Sequence, residues 1–197
     1  MEREVLFTGV GGQGVQIAAR TLATAALDEG REVMLVPRYG GGMRGGMTNA
    51  ELTVGDGPLR ALPVASDCWS AYAMDHAYFP TIAPHLRPGA VVVVNSSLFD
   101  VPVDVEGAAV FEVPASGLAD EVGNPMTAGF VLLGAYVALT GLVSVDGLVA
   151  AMRQLVPPYR TQHLAANEQA IGVGAAAVTP LAAPAWPLNA VTTAGTP

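Results

Sequence analysis

A chain of 197 residues can bury one substantial core without disulfides or a structural metal, so a single domain is expected. With 51% apolar and only 13% charged residues, it has little charge to cover a free surface, which points to a buried partner interface. The net charge of −8, with all nine basic residues arginine, excludes a basic track for nucleic acid, and the single cysteine, Cys68, excludes an internal disulfide and a four-thiolate iron–sulfur cluster.

Met1-Glu2-Arg3-Glu4 leads into a short apolar run without the long hydrophobic segment and small-residue cleavage site of a secretory signal, so a cytoplasmic location is expected. Glu4 to Thr8 reads as a strand that stops at a glycine cluster. Val15 to Asp28, with Ile17, Leu22 and Leu27 among alanines, reads as a helix ended by Gly30. Glu32 to Val36 is a continuous apolar run, as in a strand covered on both faces, and the simplest arrangement is a parallel β-α-β unit.

Arg38 to Gly46 holds five glycines in nine residues and is a loop or a close-approach segment. Met47 to Val54 and Leu59 to Val64 flank Gly55-Asp56-Gly57-Pro58 and predict a β-hairpin. Cys68 to Met74 reads as a strand and Asp75 to Leu86 as a helix. Ala90 to Asn95 reads as a buried strand opened by the turn Arg87-Pro88-Gly89.

Val110 to Val113 is a short strand candidate. Ala115 to Val122, Met126 to Thr140, Val145 to Val156 and Thr161 to Gly172 favour helix, with Ser144 as an N-cap. Met126 to Val145 is uncharged over a transmembrane length. It contains Gly129, Gly134, Gly141 and polar Thr127, Thr140 and Ser144, has no flanking Lys or Arg and ends on Asp146, so it reads as two buried helices joined at Gly141 rather than a membrane span. The expected fold is α/β: a single Rossmann-like domain over residues 1–174, with a mostly parallel sheet, a β-hairpin insertion and a helical C-terminal half. Beyond it, residues 175–197 form an Ala/Pro-rich tail, carrying Pro180, Pro184, Pro187 and Pro197, expected to wander or lie along a partner.

Gly9-Val10-Gly11-Gly12-Gln13-Gly14 satisfies G-x-G-x-x-G between a strand and a helix, a context in which backbone N–H groups hold phosphate. The NAD form needs an acid at the end of the second strand, where this chain has Pro37 and Arg38; Arg38 would suit NADP. The alternative is that these glycines only let the helix pack close to the strand. Arg44, between the glycine pairs of Tyr39 to Gly46, can reach an anion or sit solvated on a flexible loop. Asn95-Ser96-Ser97 leaves a strand where open sheets place ligands, and equally makes caps and turns. Gly55-Asp56-Gly57 matches the opening of a magnesium-diphosphate motif but reads as a hairpin turn, with no Asn at the motif's spacing. His76, His85 and His163 lack metal-site spacing, and no Ser-His-acid set assembles.

In this order the segments resemble the gamma subunit of the 2-oxoacid:ferredoxin oxidoreductases, which act on pyruvate, 2-oxoglutarate, 2-oxoisovalerate or indolepyruvate. The resemblance runs from about Val5 to Gly174 and is carried by Gly11-Gly12-Gln13-Gly14, Tyr39-Gly40 through Arg44-Gly45-Gly46, Asp67, Leu86-Arg87-Pro88-Gly89 before Val91 to Ser97, Gly123-Asn124, and Asn167 with Ala170 and Gly172. It implies a subunit that is not catalytic alone, in a complex that turns a 2-oxoacid into its acyl-CoA and passes electrons to ferredoxin. Thiamine diphosphate with Mg2+ and the iron–sulfur clusters would be held by catalytic alpha- and beta-type subunits and a ferredoxin-like subunit. This chain would bind no cofactor alone but help form the coenzyme A side, through Gly11, Gly12, Gln13, Gly14, Arg44, Gly45, Gly46, Asn95, Ser96 and Asn124. It departs from many relatives in carrying Gly42 where they have Glu.

Overall fold

The computed structural model describes residues 1–40, 45–60 and 66–186, without the side chain of Tyr39. Its strands are β1 (Glu2–Val10), β2 (Glu32–Tyr39), β3 (Met47–Gly55), β4 (Cys68–Ala73), β5 (Leu86–Asn95) and β6 (Ala109–Val113). The helices are α1 (Val15–Asp28), α2 (Ala115–Glu121), α3 (Ala128–Thr140), α4 (Val145–Leu155) and α5 (Leu164–Ala176). The strands form one sheet in the order β2-β3-β1-β4-β5-β6. β1, β4, β5 and β6 run parallel; β3 is antiparallel to both its neighbours, β1 and β2. The α/β, mostly parallel fold is as expected.

The pairing around β1 is not. β2 is parallel to β1, but β3 lies between them, so the expected β-α-β unit is opened by an inserted strand. The hairpin is β2 with β3, in register from Glu32↔Gly55 to Tyr39↔Thr48, and the glycine segment after Tyr39 is its connection. The Gly55-Asp56-Gly57 turn instead ends β3 beside the start of β1, where Asp56 N–H donates to the Met1 carbonyl (3.1 Å) and its carboxylate takes the N-terminal ammonium. Leu59 and Arg60 are not strand, and 61–64 lie outside the described residues. As an edge strand, β2 is half-buried rather than covered on both faces: Val33 and Leu35 reach the core, and Pro37 costs no interior ladder bond.

Two prolines undo the helix expected over Asp75 to Leu86. Pro80 and Pro84 each remove an amide donor and disfavour helical backbone at the preceding residue, leaving two 3-10 turns, His76–Thr81 and Ala83–His85. β5 begins earlier than expected, at Leu86; its pairing with β4 jumps from Cys68↔Leu86 to Ser70↔Val91, so Arg87-Pro88-Gly89 bulges out instead of preceding the strand.

All five helices cover one face of the sheet. There Val5, Phe7, Leu52, Tyr72 and Val93 meet Leu22 of α1, Ala119 of α2, Leu133 and Tyr136 of α3, Met152 of α4 and Ile171 of α5. The other face, with Leu6, Ala71, Val92 and Val94, is covered by Phe79 and Ile82 of the 3-10 turns and by Phe99, Val103 and Val105 of the β5–β6 connection. Among the described residues no helix is long and apolar enough to cross a membrane. The uncharged run from Met126 to Val145 is not two helices as expected: it holds α3 alone, which Gly141 ends, and stops at the first residue of α4, a helix that carries Asp146 and Arg153. Ser144 caps α4 by accepting from Gly147 N–H (2.9 Å).

α3 is apolar all round and must be covered all round. One side meets the sheet through Ser70 Oγ and Tyr136 OH (2.7 Å); the other meets α5 so closely that a Cβ on Gly134 or Gly174 would overlap the backbone carbonyl of Ile171 or Val131. α5 runs past Gly172, through the contact residue Gly174, to Ala176 instead of ending at Gly172. The tail does not wander as it leaves α5. Residues 177–186 lie back over the end of α3: Leu181 N–H donates to Leu139 O (2.9 Å), Ala185 N–H to Thr140 O (2.7 Å) and Trp186 Nε1–H to Leu142 O (2.8 Å).

Candidate functional site

The topology collects most of the expected site residues on one rim. Strands β1, β2, β4, β5 and β6 end there and β3 begins there. At β1 the chain switches sides, with β3 on one flank and β4 on the other, which is where open α/β sheets leave room for ligands.

The two glycine segments meet at this point. Gly11 N–H donates to Gly46 O (2.8 Å), so Gly11, Gly12, Gln13, Gly14, Gly45 and Gly46 form one surface. Gly12 and Gly14 have φ of 107° and 80°, in the left-handed region that side chains resist. No atom lies within 4 Å of where a Cβ on Gly12 would stand, so the loop is open there. Gly14 is the N-cap of α1, without a side-chain cap or a first-turn acid; the first N–H groups of the helix keep their partial positive charge.

Other parts of the loop are closed by packing. A Cβ on Gly9 would lie 2.7 Å from Val15 Cγ2 and 2.8 Å from Gln13 Oε1, and one on Gly129, in the first turn of α3, 3.0 Å from Gln13 O. The packing reading of the motif therefore applies to Gly9, while Gly12 is not closed by packing. Gln13 turns inward: its Oε1 accepts from Val10 N–H (2.8 Å), and its Nε2–H donates to Asp75 Oδ2 (2.8 Å).

Beneath the loops lies a polar layer that the sequence reading did not single out. Thr8 Oγ1–H donates to Asn49 Oδ1 (2.8 Å), Asn49 Nδ2–H to Thr81 Oγ1 (3.3 Å) and Gln16 Nε2–H to Asn49 O (2.7 Å). Tyr72, fully buried under the loop, donates to Gly129 O (2.9 Å), and burial pushes its hydroxyl pKa up. Thr8 and Tyr72 stand at alternate positions of β-type runs; a polar residue among apolar ones near a strand end was the available signal.

The remaining expected residues make structural contacts. Asn95 is fully buried and ties β5 to α2: its Oδ1 accepts from Ser116 N–H (3.2 Å), and its Nδ2–H donates to Ser116 Oγ (2.9 Å) and Met74 O (3.4 Å). Ser96, half-buried, opens the 3-10 turn after β5. Asn124 caps the turn before α3, its Oδ1 accepting from Met126 N–H (3.2 Å). That turn leaves the Met126 side chain 87% exposed, an uncovered apolar group on the approach to the Gly129–Gln13 contact. Gly42 and Arg44 lie outside the described residues.

The rim brings together backbone donors but few reactive side chains. Burial, then the Glu4 and Glu51 carboxylates, push the Cys68 thiol up to about 12, which favours the protonated thiol over the reactive thiolate. His85 and His163 are exposed. His76 Nδ1–H donates to Leu98 O (2.8 Å) near Asp100 (3.3 Å). Among the described residues no group of three His, Cys, Asp or Glu is placed to hold a metal ion. Asp56, in the turn that resembles a metal-diphosphate motif, sits at the opposite rim beside Met1, so thiamine diphosphate with its metal does not fit here, nor does a thiolate-held cluster. Arg38, which an NADP site would need, pairs with Glu51 (2.6 Å) on a strand separated from β1 by β3.

Comparison with known proteins identifies the family. Residues 4–177 match the family model for pyruvate ferredoxin/flavodoxin oxidoreductase. The chain is 32% identical over 165 residues to the 2-oxoglutarate synthase subunit KorC of Methanothermobacter marburgensis, covering 80% of this chain and 88% of that one. It is also 32% identical over 157 residues to the pyruvate synthase subunit PorC of Methanothermobacter thermautotrophicus, covering 78% and 85%. The keto/oxoacid ferredoxin oxidoreductase gamma subunit of Geobacter sulfurreducens superposes with a TM-score of 0.75 at 28% identity, over 88% of this chain and 96% of that one. The chain belongs to the pyruvate ferredoxin/flavodoxin oxidoreductase family and is a gamma subunit of a 2-oxoacid:ferredoxin oxidoreductase.

Proposed function

We propose that this subunit forms the coenzyme A side of the active site of a thiamine-diphosphate enzyme that oxidatively decarboxylates a 2-oxoacid to its acyl-CoA and passes electrons to ferredoxin. The observation that carries this reading is the rim where Gly11 meets Gly46, with Gly12 open to solvent and the N-terminus of α1 uncapped behind it. Such a surface offers N–H donors to a phosphate or carboxylate, and the acid nearest to it among the described residues, Asp75, is engaged by Gln13 and Ala77. The chemistry then belongs to partner chains: catalytic alpha- and beta-type subunits holding thiamine diphosphate and Mg2+, and a ferredoxin-like subunit holding the clusters. The apolar composition and exposed Met126 on the same side of the molecule suit a subunit whose surface is completed by those partners, in the cytoplasm.

Kinetics of the assembled enzyme test this. Arg44→Ala and Gly12→Val should each raise the KM for coenzyme A by roughly ten- to a hundredfold, the scale of one lost charge-assisted contact, and leave the KM for the 2-oxoacid within about twofold. An unchanged coenzyme A KM in both variants would remove the ligand from this rim. KorC and PorC stand at the same 32% identity, so the 2-oxoacid itself is to be identified by assaying the complex against each candidate.

A further inference from the structure

We propose that Gln13 and Asp75 are positioning residues for the glycine loop, working as a polar latch with a defined direction. The kinetic consequence rests on the reading of that loop as the coenzyme A side; the latch itself rests only on the geometry.

Val10 N–H can only donate, so Gln13 must present its oxygen to it (2.8 Å), which turns the Gln13 amide nitrogen toward Asp75 Oδ2 (2.8 Å). Asp75 is held in turn from its other oxygen, which accepts from Ala77 N–H (3.0 Å), with His76 Nδ1 at 3.9 Å. The chain of contacts Val10–Gln13–Asp75–Ala77 thus spans the opening between the ends of β1 and β4. Gln13 also fills the space beside Gly9, and its carbonyl meets Gly129, so the loop is fixed from β4 and from α3 together. The far end of the same 3-10 turn is anchored independently, through Thr81 to Asn49. A glycine-rich loop loses much entropy on ordering, and this side-chain contact offsets part of that loss.

The direction of the latch yields a sharp test. With Asp75→Asn, the new side-chain amide keeps its oxygen on Ala77 N–H and turns its nitrogen toward the Gln13 amide nitrogen. Flipping Gln13 to relieve this opposes two donors at Val10. With Gln13→Glu, two carboxylates face each other. In the double variant Gln13→Glu/Asp75→Asn, the glutamate accepts from Val10 N–H and from the asparagine amide, so every contact is restored, the two ends unchanged and only the 13–75 bond reversed in direction.

The four proteins are to be compared as assembled complexes, by hydrogen exchange of the Gly11 to Val15 amides and by the KM and kcat with coenzyme A. Each single variant is expected to speed exchange of those amides roughly tenfold, the scale of one hydrogen bond to a charged group, and to raise the coenzyme A KM more than it lowers kcat. The double variant is expected to recover both. A double variant whose loop exchanges as fast as the worse single variant overturns the latch. Recovery of exchange with a coenzyme A KM that never moved supports the latch and overturns the coenzyme A reading of the loop.

Discussion

The α3–α5 contact and the loop between β1 and α1 both depend on glycine, for opposite reasons. At Gly134 and Gly174 the backbone is ordinary helix, and the space that a Cβ would take is already filled by a neighbouring carbonyl. At Gly12 the space is empty, but the backbone holds a conformation that side chains resist. The first pair let two helices touch and so belong to stability. The second kind fix the shape of an exposed rim, so changing it should act on binding more than on folding.

The largest expected effect comes from breaking the helix contact. Gly134→Ala should destabilise the protein by about 3 kcal/mol, at the upper end of overpacking costs, because the obstacle is backbone that no rotamer change can clear. Thermal unfolding measures it, and a wild-type melting temperature would mean that α5 slides freely on α3. Gly12→Ala should cost less, about 1–2 kcal/mol for a left-handed residue, with a proportionally larger effect on coenzyme A kinetics. If it lowers the melting temperature as much as Gly134→Ala does, the distinction between the two regions fails.

Much of this was legible beforehand, and the misses have physical causes. The strand, glycine loop and α1 follow from local chemistry: a β-type run, residues free of Cβ, then an alanine-rich helix. The burial of α3 follows from its lack of charge. What one sequence does not encode locally is which strand sits beside β1, because Met47 to Gly55 is equally suited to pairing with β1, with β2 or with the segment after Pro58. Asp75 was hidden for a related reason: its partner, Gln13, is 62 positions away. The prolines at 80 and 84 were visible and should have ruled out a helix over Asp75 to Leu86. Asn95 lies at a strand end of the kind where open sheets place ligands, yet both its side-chain polar atoms serve Ser116 and Met74.

Two smaller effects sharpen the boundary between the regions. Tyr72→Phe removes the bond to Gly129 O that joins β4 to the start of α3. It should cost about 1 kcal/mol, since that carbonyl still has its helical partner, and an unchanged unfolding midpoint would show the bond to be dispensable. His76 marks the outer limit of the site. Its bond to the Leu98 carbonyl, then the Asp100 and Asp75 carboxylates, hold its pKa above the ordinary 6.5. Because the raised group is the protonated one, any stability it adds is fully present below pH 6.5 and is lost as pH rises through its raised value. An NMR titration of the His76 ring should place its midpoint above 6.5, and a midpoint at or below that would show that the tie to Leu98 does not persist in solution.

The contact between Arg3 Nε–H and Ala185 O (2.7 Å) spans 182 positions and has a consequence for biosynthesis. Among the described strands β1 comes earliest in the sequence but sits inside the sheet, and its flanking strands follow it as β3 (residues 47–55) and β4 (residues 68–73). Its arginine then waits for almost the whole remaining message before its acceptor appears. Chains that fold as they emerge close local contacts early and distant ones late. The edges of this strand are therefore open until residue 73 has emerged, whereas the Arg3–Ala185 tie over α3 closes long afterwards.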